Sequence, residues 1–197
     1  MMALGNGLSD AQQHEAALPV REAKLATMRR LGVPEDDMLA TQNNLASTYH
    51  ELGRLEQANQ VLRDVYSARL KLNGGEHEET LRAANNYAHA LVSLERFEEA
   101  KALFRRAILV ARRVLGDDHG LTLRMRSNYA AAFCKVNGAT LDELREAVTS
   151  LEETQRIARR VLSGANPIVV QIESHLRDAR AALRETPSPA EDAHYVA

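Results

Sequence analysis

"TLRAANNYAHAL", residues 80–91, is the stretch on which the reading of the whole chain turns. Leu81, Ala84, Ala88 and Leu91 recur at helical spacing and form one apolar stripe, widened by Tyr87. Two adjacent asparagines, Asn85 and Asn86, interrupt it. Asn is a poor helix former because its side chain competes for backbone hydrogen bonds. The same arrangement stands 42 residues earlier in "MLATQNNLASTY" and 42 residues later in "TLRMRSNYAAAF", so Asn44, Asn86 and Asn128 share one register. A poor helix residue held at a fixed phase is expected to serve a purpose.

Further landmarks extend the period. "LEQA" at 55–58 answers to "FEEA" at 97–100, and "LREA" at 144–147 follows 47 residues later, which implies about five inserted residues. "RRLG" at 29–32, "RRVLG" at 112–116 and "RRVLSG" at 159–164 close successive units. The linkers "GGEHEETL" at 74–81 and "GDDHGLTL" at 116–123 place His77 and His119 in equivalent positions. Each unit reads as two helices. A period of this length is the mark of a stacked repeat array, in which each unit buries its apolar face against its neighbours. The expected fold is therefore all-α, a right-handed superhelical solenoid of antiparallel helix pairs with about seven helices.

The expected organisation follows from these marks. Residues 1–10 carry two glycines and no periodic pattern and are expected to be disordered. A half-unit at 11–32 precedes full units at about 36–73, 78–115 and 120–163, and a capping helix spans 167–184. Together 11–184 form the solenoid. Pro19 is expected to kink the first helix or to mark its true start. "TLDE" at 140–143 is a capping-box pattern, and Pro167 suits a first helical position. The polar, Pro-rich tail 185–197 is expected to be disordered.

Composition narrows the function. The net charge of −2 argues against bulk attraction to nucleic acid or an anionic membrane. Cys134 is the single cysteine and cannot form an internal disulfide, so a reducing, cytoplasmic compartment is expected. No stretch has the length and apolarity of a signal or a membrane span. His77 and His119 lie one repeat apart and should not converge on one ion; they are expected to cap the following helices or satisfy the linkers. No nucleophile has a base and an orienting acid nearby in sequence, so no enzyme and no cofactor is expected. The paired arginines read as a solvated outer face.

Helix pairs with Ala in "FEEA", the small-residue runs "NNLA" and "NNYA", Tyr49 and Gly53 resemble tetratricopeptide repeats. The 42-residue period and the Leu115, Gly116, His119 linker resemble the kinesin-light-chain type more closely than the ordinary shorter repeat. Asn166 stands where that type usually has His.

On a helical wheel, Asn85, Asn86, His89 and Ser93 fall within about 60° of Arg82, opposite the apolar stripe. Equivalent sets are Ala40, Asn43, Asn44, Ser47 and Glu51, then Arg124, Ser127, Asn128, Ala131 and Lys135. Stacked units would align these faces into one concave wall. An amide offers both a donor and an acceptor, so a ladder of them can hold an extended peptide by its backbone. The resemblance implies that use for Asn44, Asn86 and Asn128 first, then Asn43, Asn85, Arg82, Arg124 and His89. Arg82, Arg124 and Lys135 would bias the groove toward acidic peptides, and Glu51 opposes that bias. The same amides can instead bond neighbouring helices and shape the superhelix. The expected function is a non-enzymatic protein-interaction scaffold that binds an extended peptide segment. The alternatives are a self-assembling module, homodimeric through exposed terminal helices, and the repeat part of a larger signalling protein.

Overall fold

The computed structural model describes residues 2–134 and 139–186. Among them are eight helices and no strand. They are α1 (Met2–Arg30), α2 (Glu35–Glu51), α3 (Leu55–Asn73), α4 (Glu78–Ser93), α5 (Phe97–Val114), α6 (Gly120–Cys134), α7 (Leu141–Val161) and α8 (Pro167–Glu185). The helices fall into two compact units, one ending at Leu94 and the other starting at Glu95.

In the first unit, α1 packs on α2, α2 on α3 and α3 on α4. Leu18 and Leu25 of α1 meet Leu45 and Tyr49 of α2 and Ala58 of α3 in one apolar cluster. Leu39, Val65 and Ala83 form a second, and Ala46, Leu62 and Ala90 a third, so each full pair is sewn to the next helix by its own stripe. Leu81, Ala84, Ala88 and Leu91 are all buried, as the periodicity requires. The Tyr49 hydroxyl donates to Glu22 of α1 at 2.7 Å, and burial followed by this bond pushes its pKa up. Arg69 is buried in α3 and pairs with Asp36 at the start of α2, while its carbonyl accepts from the Thr80 hydroxyl at 3.1 Å. That chain of contacts ties the start of α4 to α3 and α2.

In the second unit, α6 packs on α5, α7 and α8, and α7 packs on α8. Leu123 and Ala130 of α6, Ala147, Leu151 and Ala158 of α7, and Val169, Ile172, Leu176 and Ala179 of α8 make a single core. Phe104 of α5 meets Tyr129 of α6 edge-on, with centroids 6.4 Å apart.

The helix starts have local causes. The His77 ring accepts from the Glu79 N–H at 3.2 Å, the His119 ring from the Leu121 N–H at 3.3 Å, and the Asn166 amide oxygen from the Ile168 N–H at 2.9 Å. The two linker histidines are therefore helix caps, and Asn166 performs the same task for α8. Thr140 and Glu143 form the reciprocal capping box at the start of α7, and Pro167 opens α8. Gly53, with φ of 70°, makes the left-handed turn that ends α2. One repeat later Glu95 adopts the same conformation at φ of 59°.

Two expectations are corrected. Residues 2–10, expected to be disordered, continue α1 back to Met2: two glycines lower helix propensity by about 1 kcal/mol each but do not forbid the helix. Pro19 lies inside α1 and does not mark its start. The eight helices among the described residues agree with the seven or so expected. Of the tail expected to be disordered, 187–197 lie outside the described residues, while Glu185 ends α8 and Thr186 caps it.

Candidate protein-interaction faces

The first helices of successive pairs are joined by rungs of polar side chains. In the first unit, the Asn86 amide donates to the Asn43 amide oxygen at 3.4 Å, linking α4 to α2. Asn85 in turn donates to the Asn86 oxygen at 3.2 Å. Two helical turns further along both helices, His50 Nε2 lies 3.0 Å from Ser93 Oγ, and the His50 and His89 rings stand 5.7 Å apart. Both rungs connect residues 43 apart in sequence. In the second unit, the Gln171 amide of α8 donates to the Asn128 oxygen of α6 at 3.1 Å, and Ser127 Oγ lies 2.9 Å from His175 Nδ1. Allowing for the inserted residues, Ser127 and His175 occupy the repeat positions of Asn43 and Asn86. The rung persists while its chemistry changes.

The sequence-predicted residues divide by exposure. Asn44 is exposed on α2; the bonds described for it use its backbone carbonyl, which accepts from Arg21 at 2.6 Å and from Thr48 at 3.1 Å. Asn43, Asn86, His89, Arg82 and Arg124 are half-buried. Asn85 and Asn128 are buried, at 4% and 6% exposure. An amide that deep, already engaged with a neighbour, acts first on the fold. Lys135 lies outside the described residues.

Charge on the first unit's face is largely cancelled. Arg82 pairs with Glu78 at 2.6 Å and Glu79 at 3.1 Å on its own helix. Glu51 stands 3.9 Å from His50. The acidic bias expected from Arg82 is therefore offset locally.

Sequence reasoning missed Arg21, His50, Gln171 and His175. Arg21 projects from α1 onto the Asn44 carbonyl and the Thr48 hydroxyl. His50, Gln171 and His175 carry no landmark of their own, because their partners are set by how neighbouring helices pack.

Among the described residues, no three His, Cys, Asp or Glu side chains are placed to hold a metal ion, and no helix is long and apolar enough to cross a membrane. Cys134 is half-buried; burial pushes its thiol pKa up, and its Sγ–H points at the Ala130 carbonyl at 3.8 Å. A thiol in that setting is a packing group.

Solved structures share this arrangement. Two crystal structures of a Podosopora anserina protein of kinesin-light-chain type, with nearly identical TPR-like repeats, superpose with TM-scores of 0.68 and 0.66. Each is 21% identical and covers 96% of this chain, and the alignments take in 87% and 88% of those chains. BtubC (BKLC) from P. vanneervenii superposes with a TM-score of 0.65 at 16% identity, over 90% of this chain and 77% of its own. At these identities the likeness concerns the fold. No curated protein matches the chain. The tetratricopeptide repeat pattern matches residues 37–108 and 79–138, which together span just over half of the chain. The chain belongs to the tetratricopeptide repeat family, and its helix pairs have the fold of the kinesin-light-chain-like type.

Proposed function

We propose that this protein is a non-enzymatic scaffold that binds an extended peptide segment of a partner across the polar face shared by α2 and α4. Tetratricopeptide repeats generally mediate protein–protein interaction, and such proteins are typically non-enzymatic scaffolds. The observation that carries the finer reading is the pairing of Asn43 with Asn86 beside the exposed amide of Asn44. The rung holds its amides in a fixed orientation. Fixed donors and acceptors can meet a peptide backbone with little loss of side-chain freedom. The second rung, at His50 and Ser93, lies seven residues further along each helix, or about 10 Å at the helical rise. About three residues of extended chain span that distance. With Arg82 balanced by two glutamates, the face is expected to read backbone and uncharged polar groups before acidic ones.

Asn128 and Gln171 give the second unit a rung of its own, and Arg124 lies one turn from it on α6. We assign Asn128 and Asn85 to support of the face, and Asn44, Asn43, Asn86 and His89 to contact. The test is a peptide array probed with the wild type and with Asn44→Ala, alongside melts of both. Peptide capture lost in the variant, with the melt unchanged, is the expected result. Equal capture by both proteins refutes the assignment.

A further inference from the structure

We infer that Arg21 of α1 gives the α2–α4 face its side-chain selectivity by taking a single acidic side chain of the bound peptide; this rests on the reading of that face as a peptide site. Arg21 is half-buried beside α2. Its Nη1 donates to the Asn44 carbonyl at 2.6 Å and to the Thr48 hydroxyl. The Thr48 hydroxyl gives its own proton to the same carbonyl at 3.1 Å, so its oxygen is the acceptor toward Arg21. Both hydrogens of Nη1 are thereby spent. Among the described residues, Nε and Nη2 meet no acceptor, and no carboxylate pairs with the guanidinium. The acids beside it are engaged elsewhere: Glu22 accepts from the Tyr49 hydroxyl at 2.7 Å, and Glu15 lies 3.5 Å from Arg54. Arg21 is therefore a half-buried cation, held in place by two neutral oxygens and left uncompensated.

Its position borders the face. Thr48 and Asn43 point about 140° apart on α2, and Asn43 is the residue through which α2 meets Asn86 of α4. Arg21 and the amide rung thus flank the exposed strip of Asn44 and Ser47 from two sides. In the later repeats the place of Thr48 is taken by Ala90, Ala132 and Ala179, all buried. Thr48 supplies the acceptor that those alanines lack, so the hold on Arg21 is specific to this helix.

The free edge of Arg21 selects its occupant. Nε–H and Nη2–H are parallel donors, the fork that fits a carboxylate in two bonds. A Glu or Asp side chain of a peptide lying over Asn44 would meet that fork. Asp37 and Glu51, both exposed, stand seven residues before and after Asn44, about 10 Å along the helix each way and close to one Debye length at physiological salt. Another acid three residues along the peptide would come up beside one of them. The site accordingly takes one carboxylate with neutral neighbours and disfavours an acidic run.

The test starts from the uncharged array peptide captured most strongly, labelled with a fluorophore. It is resynthesised with Gln or Glu at each position in turn, and once with several Glu at three-residue spacing. Fluorescence anisotropy reads the affinity of the wild type, Arg21→Gln and Arg21→Lys, with melts alongside. At one position Glu is expected to bind about fivefold more tightly than Gln, a gain that fades at high salt, vanishes in Arg21→Gln and partly persists in Arg21→Lys. The uncharged peptide is expected to bind all three proteins alike, and the peptide with several Glu to bind less well than the one with a single Glu. If Arg21→Gln melts below the wild type, the double variant Arg21→Leu/Thr48→Ala takes its place, removing the charge and giving α2 the alanine of the later repeats. No preference for Glu at any position, with the uncharged peptide still bound, overturns the inference and leaves the peptide site standing. A preference that survives loss of the Arg21 charge, or binding that tightens with each added Glu, also overturns it. Capture of no array peptide by the wild type removes the peptide site and this inference together.

Discussion

Glu95 gives the sharpest test of the backbone argument. It holds φ of 59° at the repeat position where Gly53 holds 70°. A side chain in the left-handed region costs roughly 1–2 kcal/mol, because Cβ crowds the following carbonyl oxygen. Glycine removes that cost but loses about 0.4–1 kcal/mol through its freer unfolded state. Glu95 is exposed and sits at no ion pair described here, so these two effects dominate. Glu95→Gly is therefore expected to stabilise the protein by about 0.5–1 kcal/mol, a rise of about 1–4 °C in Tm for a chain of this size. Gly53→Ala should do the reverse by a similar amount, since a Cβ there meets nothing within 4 Å and only the backbone objects. Glu95→Ala serves as the control, removing the carboxylate and keeping the strain. Urea denaturation followed by far-UV circular dichroism reads all three. If Glu95→Gly proves no more stable than Glu95→Ala, left-handed strain does not govern this turn and the reasoning fails.

Three more outcomes are expected. Asn166→Ala should cost about 1 kcal/mol of stability through loss of the α8 cap, while Asn166→His should retain most of it, because His77 and His119 already cap by the same bond; denaturant midpoints separate the two. Asn128→Ala should destabilise by about 1–3 kcal/mol by stranding the Gln171 amide, whereas Asn44→Ala should stay within about 0.5 kcal/mol; paired thermal melts decide. Bonds from the Thr140 backbone and hydroxyl hold the Glu143 carboxyl below its ordinary pKa. A depressed folded value means that its contribution is present above the unfolded value of about 4.3 and is lost as pH falls through the folded value, so Glu143→Gln should flatten the acid limb of the stability–pH curve.

The helix pairs were legible because the apolar stripe and the turn residues recur together. Thr140 with Glu143, and His77 with His119, could be assigned as caps because capping is local and needs only a few residues of context. The rungs were not legible. Asn43 meets Asn86, and His50 meets Ser93, because neighbouring first helices are offset by one residue along their axes, and that offset depends on packing between helices. The burial of Asn85 and Asn128 escaped for the same reason: a helical wheel shows which residues share a face and not what covers it. The balancing of Arg82 was open to inspection, since Glu78 and Glu79 stand at the spacings at which helix side chains pair. Arg21 escaped because α1 lies before the first full repeat, where no landmark fixes its register.

The central claim is that partner peptides lie along the amide rung of α2 and α4. The most direct measurement is a two-dimensional nitrogen–proton NMR titration of the labelled protein with a peptide recovered from the array. Side-chain amide signals are resolved in such spectra, so the rung reports on itself. The account predicts that the Asn44, Asn43 and Asn86 side-chain signals move first and saturate together, while that of Gln171 holds still unless the second unit is also engaged. Saturating shifts confined to α1, α3 or the outer face of α5, with the three asparagine signals unmoved, would contradict it.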